Sequence, residues 1–254
     1  MSVHLVGGGR ELAVAPVVYG SFVEDATRRA RSAGRPVPEI GVCLLAPVEE
    51  QGDAVAWFAQ ALGGPDVVRV QPVTAEEDGQ LLSSDGGPLT GEWFTSLDGL
   101  LVGGGLTPAY HRALQPYAAE LRSAVTDGLP YAGFSAGAAI AASRALLGGW
   151  RLGSTAVTHE DNAEDLDQVT VVDGLGLVDV TVEVHAAQWG TLSRLVAAVA
   201  DGAAPRGVAI DEDTVVIMDA TSDSSAPSSI RGVGQAWLVE GSGEAVRLRR
   251  LPAG

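Results

Sequence analysis

The sequence predicts an α/β fold: a mostly parallel sheet flanked by helices in a three-layer sandwich, with a small antiparallel strand pair at the C-terminal end. Three observations lead there. Short apolar runs alternate with amphipathic stretches in the order strand, helix, strand through the first half of the chain. Several of those runs, such as Ile40-Gly41-Val42-Cys43-Leu44-Leu45 and Gly99-Leu100-Leu101-Val102, are apolar throughout, as strands covered on both faces are. The third is Gly133-Phe134-Ser135-Ala136-Gly137, a Gly-x-Ser-x-Gly stretch with an expected strand before it and a small, apolar, helix-forming stretch after it. The chain has 254 residues, enough for one α/β domain with a full core, and residues 1–254 are read as a single domain.

Taken in order, residues 3–6 form a first strand ended by Gly7-Gly8-Gly9. A phosphate-binding Gly-x-Gly-x-x-Gly fails there because position 12 is Leu12, so the loop is expected to line a cleft at the carboxyl edge of the sheet. Residues 19–33 carry Phe22, Val23, Ala26 and Ala30 at helical spacing, and Gly34 stops the helix. Residues 39–47 are the second strand, 54–62 a helix and 67–73 a β-branched strand. The acidic, glycine-rich stretch 74–91 reads as loop, with at most a short helix near Leu81. Residues 99–102 are a buried strand. Gly103-Gly104-Gly105 then ends it, as a tight turn or as a place where backbone N–H groups approach a ligand. Residues 110–125 read as one amphipathic helix, capped by Thr107 with Pro108 at its first position.

After Ser135, residues 136–147 read as a helix ended by Gly148-Gly149, and 151–167 as an acidic surface loop or hairpin near the cleft. Residues 169–172 are a strand and 174–177 a turn. Residues 180–185 alternate as a half-exposed strand would and deliver His185 at its end. A helix over 191–200, strands over 207–210 and 214–218, a Ser/Asp/Pro loop over 221–229 and a closing pair over 234–240 and 245–251 complete the chain.

Composition excludes several classes. A net charge of -16 argues against nucleic acid or an anionic membrane as partner. All 16 basic residues are arginine, so Schiff-base and Walker-lysine chemistry are ruled out. Four scattered histidines and one cysteine leave no metal-ligand spacing and no disulfide framework, so neither metal nor cofactor is expected. Cys43 is expected to be an inert core thiol. No apolar run is long enough to span a membrane and the start lacks a signal-peptide pattern, so a cytoplasmic location is expected. The oligomeric state is left open, a homodimer included.

Ser135 sits where the positive end of a helix and free backbone N–H groups help a hydroxyl attack a carbonyl. It needs a base. Of His4, His111, His159 and His185, the last ends a strand, where α/β sheets place their chemistry. The imidazole needs an orienting carboxylate. Glu212, in the acidic triplet Asp211-Glu212-Asp213 within an apolar frame, competes with Glu160 and Asp161, which lie between serine and histidine in the chain.

Several stretches, in unbroken order, resemble the peptidase E/cyanophycinase family. They are Val102-Gly103-Gly104-Gly105-Leu106-Thr107, Ala132 to Ala138 around Ser135, Gly174-Leu175-Gly176-Leu177, His185, and Gly207-Val208-Ala209-Ile210-Asp211-Glu212-Asp213-Thr214. The resemblance implies a class I glutamine amidotransferase-like fold and a serine hydrolase working through an acyl-enzyme. It implies Ser135 as nucleophile, His185 as base, and an oxyanion hole from the N–H groups of Gly104 or Gly105 and Ala136. Glu212 matches a cyanophycinase acid by position, whereas the peptidase E pattern points to Glu160 or Asp161. Cyanophycinases carry Asp-Gln-His followed by several arginines; here Glu183-Val184-His185 is followed by Trp189 and Thr191, and Arg194 alone remains. Where peptidase E has asparagine after its glycines, this chain has Leu106. The expected substrate is a small peptide or amide, aspartyl or isoaspartyl by family, met by Trp189 and by donors such as Arg194 or Arg151. An esterase of the ordinary α/β-hydrolase type orders its triad serine, acid, histidine, which an acid at Glu212 does not follow. A non-catalytic binding protein on the same scaffold is the remaining alternative.

Overall fold

The structure is a computed structural model that describes residues 2–45, 48–75, 81–83, 86–219, 227–242 and 245–254. Strand β1 (Ser2–Val6) is followed by α1 (Ala15–Ser32), β2 (Glu39–Cys43), α2 (Val48–Ala61), β3 (Arg69–Ala75) and the short β4 (Leu81–Leu82). Then come α3 (Gly91–Ser96), β5 (Gly99–Val102), α4 (Thr107–Leu114), α5 (Ala118–Thr126), β6 (Tyr131–Phe134) and α6 (Ala136–Ile140). Strands β7 (Arg144–Gly148), β8 (Arg151–Leu152), β9 (Thr155–Ala156), β10 (Thr170–Asp173) and β11 (Thr181–Glu183) lead to α7 (Leu192–Ala200). The chain closes with β12 (Arg206–Ile210), β13 (Thr214–Asp219), β14 (Ser229–Gly232), β15 (Gln235–Ser242) and β16 (Ala245–Pro252).

Eight strands form the main sheet in the order β14-β13-β1-β6-β5-β2-β3-β4. The run β1, β6, β5, β2, β3 is parallel, and β13, β14 and β4 are antiparallel additions at its edges. Both faces are covered. Val6, Ile40, Val42, Leu101 and Ala132 pack with Phe22 of α1 and Phe58 of α2 on one side. On the other, Leu5, Leu100 and Val102 pack with Tyr110 of α4 and Leu121 of α5. The side-chain period of two sends alternate residues of each strand to opposite apolar layers, which is why these strands read as unbroken apolar runs. A second sheet, β11-β12-β15-β16, stands beside the first and contains the expected antiparallel closing pair.

The structure departs from the sequence reading in four places. The helix expected over 110–125 is two helices joined by a 3-10 turn, Gln115–Tyr117. Pro116 has no N–H to give and its ring crowds the preceding turn, so the helix breaks there. Thr107 lies inside the first of them, whose cap residue is Leu106. The helix expected over 136–147 ends at Ile140, and residues 144–148 instead pair antiparallel with β10. The partner strand outweighs the helix propensity of a small-residue stretch. The strand expected to be half exposed, β11, is buried throughout: Thr181 donates to Arg144 O and Glu183 pairs with Arg194. Its polar residues alternate because one set feeds a buried polar network. Near Leu81 the chain forms a strand paired with β3 where at most a short helix was expected. Glu76-Glu77-Asp78 and most of the Ser/Asp/Pro stretch lie outside the described residues.

Cys43 is buried at the end of β2, and burial pushes its thiol up to about 12. The thiolate is the reactive form, so the native protein is expected to resist alkylation at pH 8 and to take up one equivalent of iodoacetamide only when unfolded. Mass spectrometry with and without denaturant checks this; rapid native labelling would contradict the placement of Cys43 in the core.

Candidate active site

The carboxyl ends of three adjacent parallel strands, β1, β6 and β5, converge on one rim of the main sheet. They deliver Gly7-Gly8-Gly9, Ser135 and Gly103-Gly104-Gly105 respectively. Ser135 follows β6 directly and has φ 52° and ψ -110°, a conformation that L-residues rarely adopt. The flanking glycines make it possible. A Cβ on Gly133 would lie 2.4 Å from Gly137 O, and one on Gly137 would lie 2.2 Å from Val102 O. The turn therefore closes backbone against backbone, and only hydrogen fits at both positions. Tyr131 braces it by donating its hydroxyl to Gly137 O at 2.7 Å, Ser135 N–H bonds Val6 O, and Gly137 N–H bonds Gly103 O.

His185 leaves β11 with φ 55°. Its Nε2 lies 2.9 Å from Ser135 Oγ and its Nδ1 lies 2.7 Å from Glu212 Oε1. With the proton on Nδ1, that nitrogen donates to the carboxylate and Nε2 accepts from the serine hydroxyl. The imidazole is clamped on several sides. Its backbone N–H bonds Gly7 O at 2.9 Å, and a Cβ on Gly8 would fall 2.1 Å from its Cε1. The Trp189 ring stacks on it with centroids 3.8 Å apart and planes 6° from parallel. Burial lowers the pKa of His185 from the ordinary imidazole value, against the opposing pull of the Glu212 hydrogen bond, so the neutral, proton-accepting form is favoured.

The acidic triplet resolves into three tasks. Asp211 accepts from the Ala187 and Gln235 N–H groups and ties the loop after His185 to β15. Glu212 meets His185, and its own N–H bonds Gln188 Oε1 at 2.9 Å. Asp213 Oδ1 accepts from Glu11 N–H. Glu160 and Asp161 lie on the wall of the cleft, where Asp161 sits 3.2 Å from His159 Nδ1. Glu212 is thus the carboxylate that the fold brings to His185. Of the other histidines, His4 is buried beside Ser2 and Asp25, and His111 bonds Asp173 O at 2.8 Å.

Among the described residues, the N–H groups of Gly104, Gly105 and Ala136 have no hydrogen-bond acceptor. Gly104 passes so close to Ser135 that an added Cβ would lie 2.9 Å from the serine Cβ. Tyr110 holds that loop, donating to Gly104 O and accepting from Leu45 N–H, both at 3.0 Å. A carbonyl oxygen entering beside Ser135 would find unpaired donors there. The cleft over Ser135 encloses about 780 Å³, with Trp189 and Trp150 among its walls.

Arg194 does not reach the cleft. It is 5% exposed and its guanidinium bonds both oxygens of Glu183 at 2.7 and 3.0 Å, with further bonds to Gly149 O and Asn162 O. Releasing it toward a ligand would leave Glu183 charged and unpaired in the interior. Arg194 therefore acts as a tie between β11, α7 and the loops behind the cleft, correcting the substrate contact expected of it. Gln188, Tyr110 and Tyr131 were not singled out by the sequence reading, and the glycine loop that holds Gly8 was expected at the cleft without its contact to the imidazole; these roles depend on contacts across the chain that no local pattern carries. Among the described residues no group of three His, Cys, Asp or Glu side chains is placed to hold a metal ion.

The close approach at the turn has a direct test. Gly137→Ala forces a methyl group against the Val102 carbonyl, so the variant is expected to lose about 2 kcal/mol or more of stability and to displace Ser135. Thermal unfolding checks the first effect. A variant as stable as the parent would mean that the turn is not packed as described.

Comparison with known proteins agrees with this geometry. The family model of Peptidase family S51 matches residues 91–223, just over half of the chain and the part that holds Ser135, His185 and Glu212. A crystal structure of a peptidase from an acI-B1 Actinobacterium superposes with a TM-score of 0.64 at 17% identity, covering 100% of this chain and 94% of that one. A peptidase E-like protein from Listeria monocytogenes EGD-e gives 0.51 at 15% identity over 98% of each chain. At such identities the likeness is one of fold. None of the curated proteins compared with the chain matches it. The rim geometry, the fold and the family match converge: the chain belongs to peptidase family S51, the peptidase E/cyanophycinase family of serine peptidases.

Proposed function

We propose that the protein hydrolyses a small peptide or amide through an acyl-enzyme, with Ser135 as nucleophile, His185 as general base and Glu212 as the acid that orients it. The supporting observation is the unbroken relay Ser135 Oγ–His185 Nε2–His185 Nδ1–Glu212 Oε1, at 2.9 and 2.7 Å. In this reading Ser135 Oγ attacks the carbonyl carbon while its proton passes to His185 Nε2. The resulting oxyanion is received by the N–H groups of Ala136 and of Gly104 or Gly105. Collapse breaks the C–N bond, and His185 returns the proton to the leaving amine. Water then attacks the ester, again through His185, and frees the acid. Glu212 holds the tautomer and balances the imidazolium formed at each step. No cofactor enters this sequence, and residues 1–254 act as one domain.

For the substrate, family resemblance taken alone points to a small aspartyl or isoaspartyl peptide, but the five carboxylates on the cleft wall oppose an acidic side chain, so the reading commits only to a small peptide or amide. Trp189 is proposed as its contact wall, since it stands half exposed beside the imidazole. The cleft volume suits a short peptide rather than a folded chain.

Labelling tests the chemistry. A fluorophosphonate is expected to modify the protein once, at Ser135, and to fail on Ser135→Ala and His185→Ala. Glu212→Gln should retain the fold and lower turnover by about 10²- to 10⁴-fold, because the imidazole then loses its fixed tautomer. Absence of labelling on the folded parent would favour the non-catalytic alternative. The pH profile is a second test. The base must be neutral, and burial lowers its pKa, so the acid limb of kcat/KM is expected to fall below the ordinary imidazole value of about 6.5. Glu212→Gln removes a partner that raises this pKa and should move the limb further toward acid. A limb above about 7 in the parent would contradict the assignment.

A further inference from the structure

The lining of the cleft carries information that the family resemblance does not. Five of its residues are acidic, Glu160, Asp161, Glu164, Asp165 and Asp167, and none is basic. The chain has no lysine, and the two arginines expected as donors are already committed: Arg194 to Glu183, and Arg151 to the face of Trp150. The carboxylates are not all consumed by the protein. Glu164 accepts from Thr107 N–H and Asp161 faces His159, but Glu160 and Asp165 have no side-chain partner among the described residues. The same cleft shows how it would hold a cation. The Arg151 guanidinium lies 3.7 Å over the Trp150 ring, with its Nε 4.0 Å from Asp167. Trp189 offers a second, half-exposed indole on the same cleft, beside the reacting hydroxyl.

We propose that the cleft selects a peptide or amide whose side chain next to the scissile bond is a cation, guanidinium or ammonium, held by the acidic wall and an indole face. This rests on the reading of Ser135 as the nucleophile. A substrate carboxylate entering the cleft would approach five carboxylates, with one guanidinium at their edge, Arg151, already set over Trp150 and beside Asp167, and would lose its hydration as it did so. A guanidinium or ammonium gains on both counts: opposite charge close by, and an aromatic face for its less hydrated surface. The net charge of -16 also draws cations toward the protein from a distance, an effect that salt screens.

The test uses the full chain and four coumarin amides: acetyl-arginyl, acetyl-glutaminyl, acetyl-aspartyl, and glutaminyl with a free amino end. The acetyl-arginyl amide is expected to exceed acetyl-glutaminyl by about tenfold or more in kcat/KM, with acetyl-aspartyl slowest and the gap narrowing as salt is raised. Asp165→Asn should shrink the arginyl-to-glutaminyl ratio through KM rather than kcat. Equal rates for arginyl and glutaminyl, or aspartyl fastest, would overturn the charge preference while fluorophosphonate labelling of Ser135 left the hydrolase reading standing. Preference for free-amino glutaminyl over acetyl-arginyl would show that an amino terminus, not a side chain, is the cation read, and would also overturn it. If nothing is cleaved or labelled, titration calorimetry of Ser135→Ala with the acetyl-arginyl and acetyl-aspartyl amides decides. Tighter arginyl binding supports the acidic wall as a cation site; equal or weaker binding ends it.

Discussion

Everything at the rim depends on one steric fit: β6 and α6 meet across Gly133 and Gly137 with no room for a side chain between them. That contact forces Ser135 into a conformation it would not choose, and the surrounding hydrogen bonds keep it there. The hydroxyl is consequently presented at the end of a central parallel strand, with the Ala136 N–H next to it and the Gly104 backbone across from it. The strain is local, but it is held by the whole sheet, because Val6 of β1 and Gly103 after β5 supply the acceptors.

A second set of contacts makes His185 and Glu212 part of the same rim although their strands belong to the other sheet. The glycine loop after β1 receives His185 N–H at Gly7 O and Asp213 N–H at Gly8 O. One loop thus aligns the residues after β11 and after β12 against the serine turn. The absence of a Cβ at Gly8 is what lets the imidazole lie flat between that loop and Trp189. The two sheets need not be continuous for the relay to form; the loop between them suffices.

Much of this was legible in the chain. Strands covered on both faces announce themselves by unbroken apolar runs, and the elbow glycines flank a serine between an expected strand and helix. What was missed shares a physical cause. The stretch after Ile140 has the composition of a helix and becomes a strand because residues 170–173 lie beside it, a fact with no local trace. Pro116 was a local signal that the reading of 110–125 as one helix left unused. Arg194 looked like a free donor because its partner, Glu183, stands eleven residues earlier on a strand whose alternation suggested solvent. The choice among Glu160, Asp161 and Glu212 turned on which loop folds toward the imidazole, and spacing along the chain does not encode that.

The flat stack of Trp189 on His185 couples the two rings electronically as well as sterically. An imidazolium at 3.8 Å from an indole is favoured by the ring's quadrupole and is also an efficient quencher of its excited state. In the proposed mechanism, each transfer of the serine proton to His185 would set a cation against Trp189 and so dim the emission of that one tryptophan.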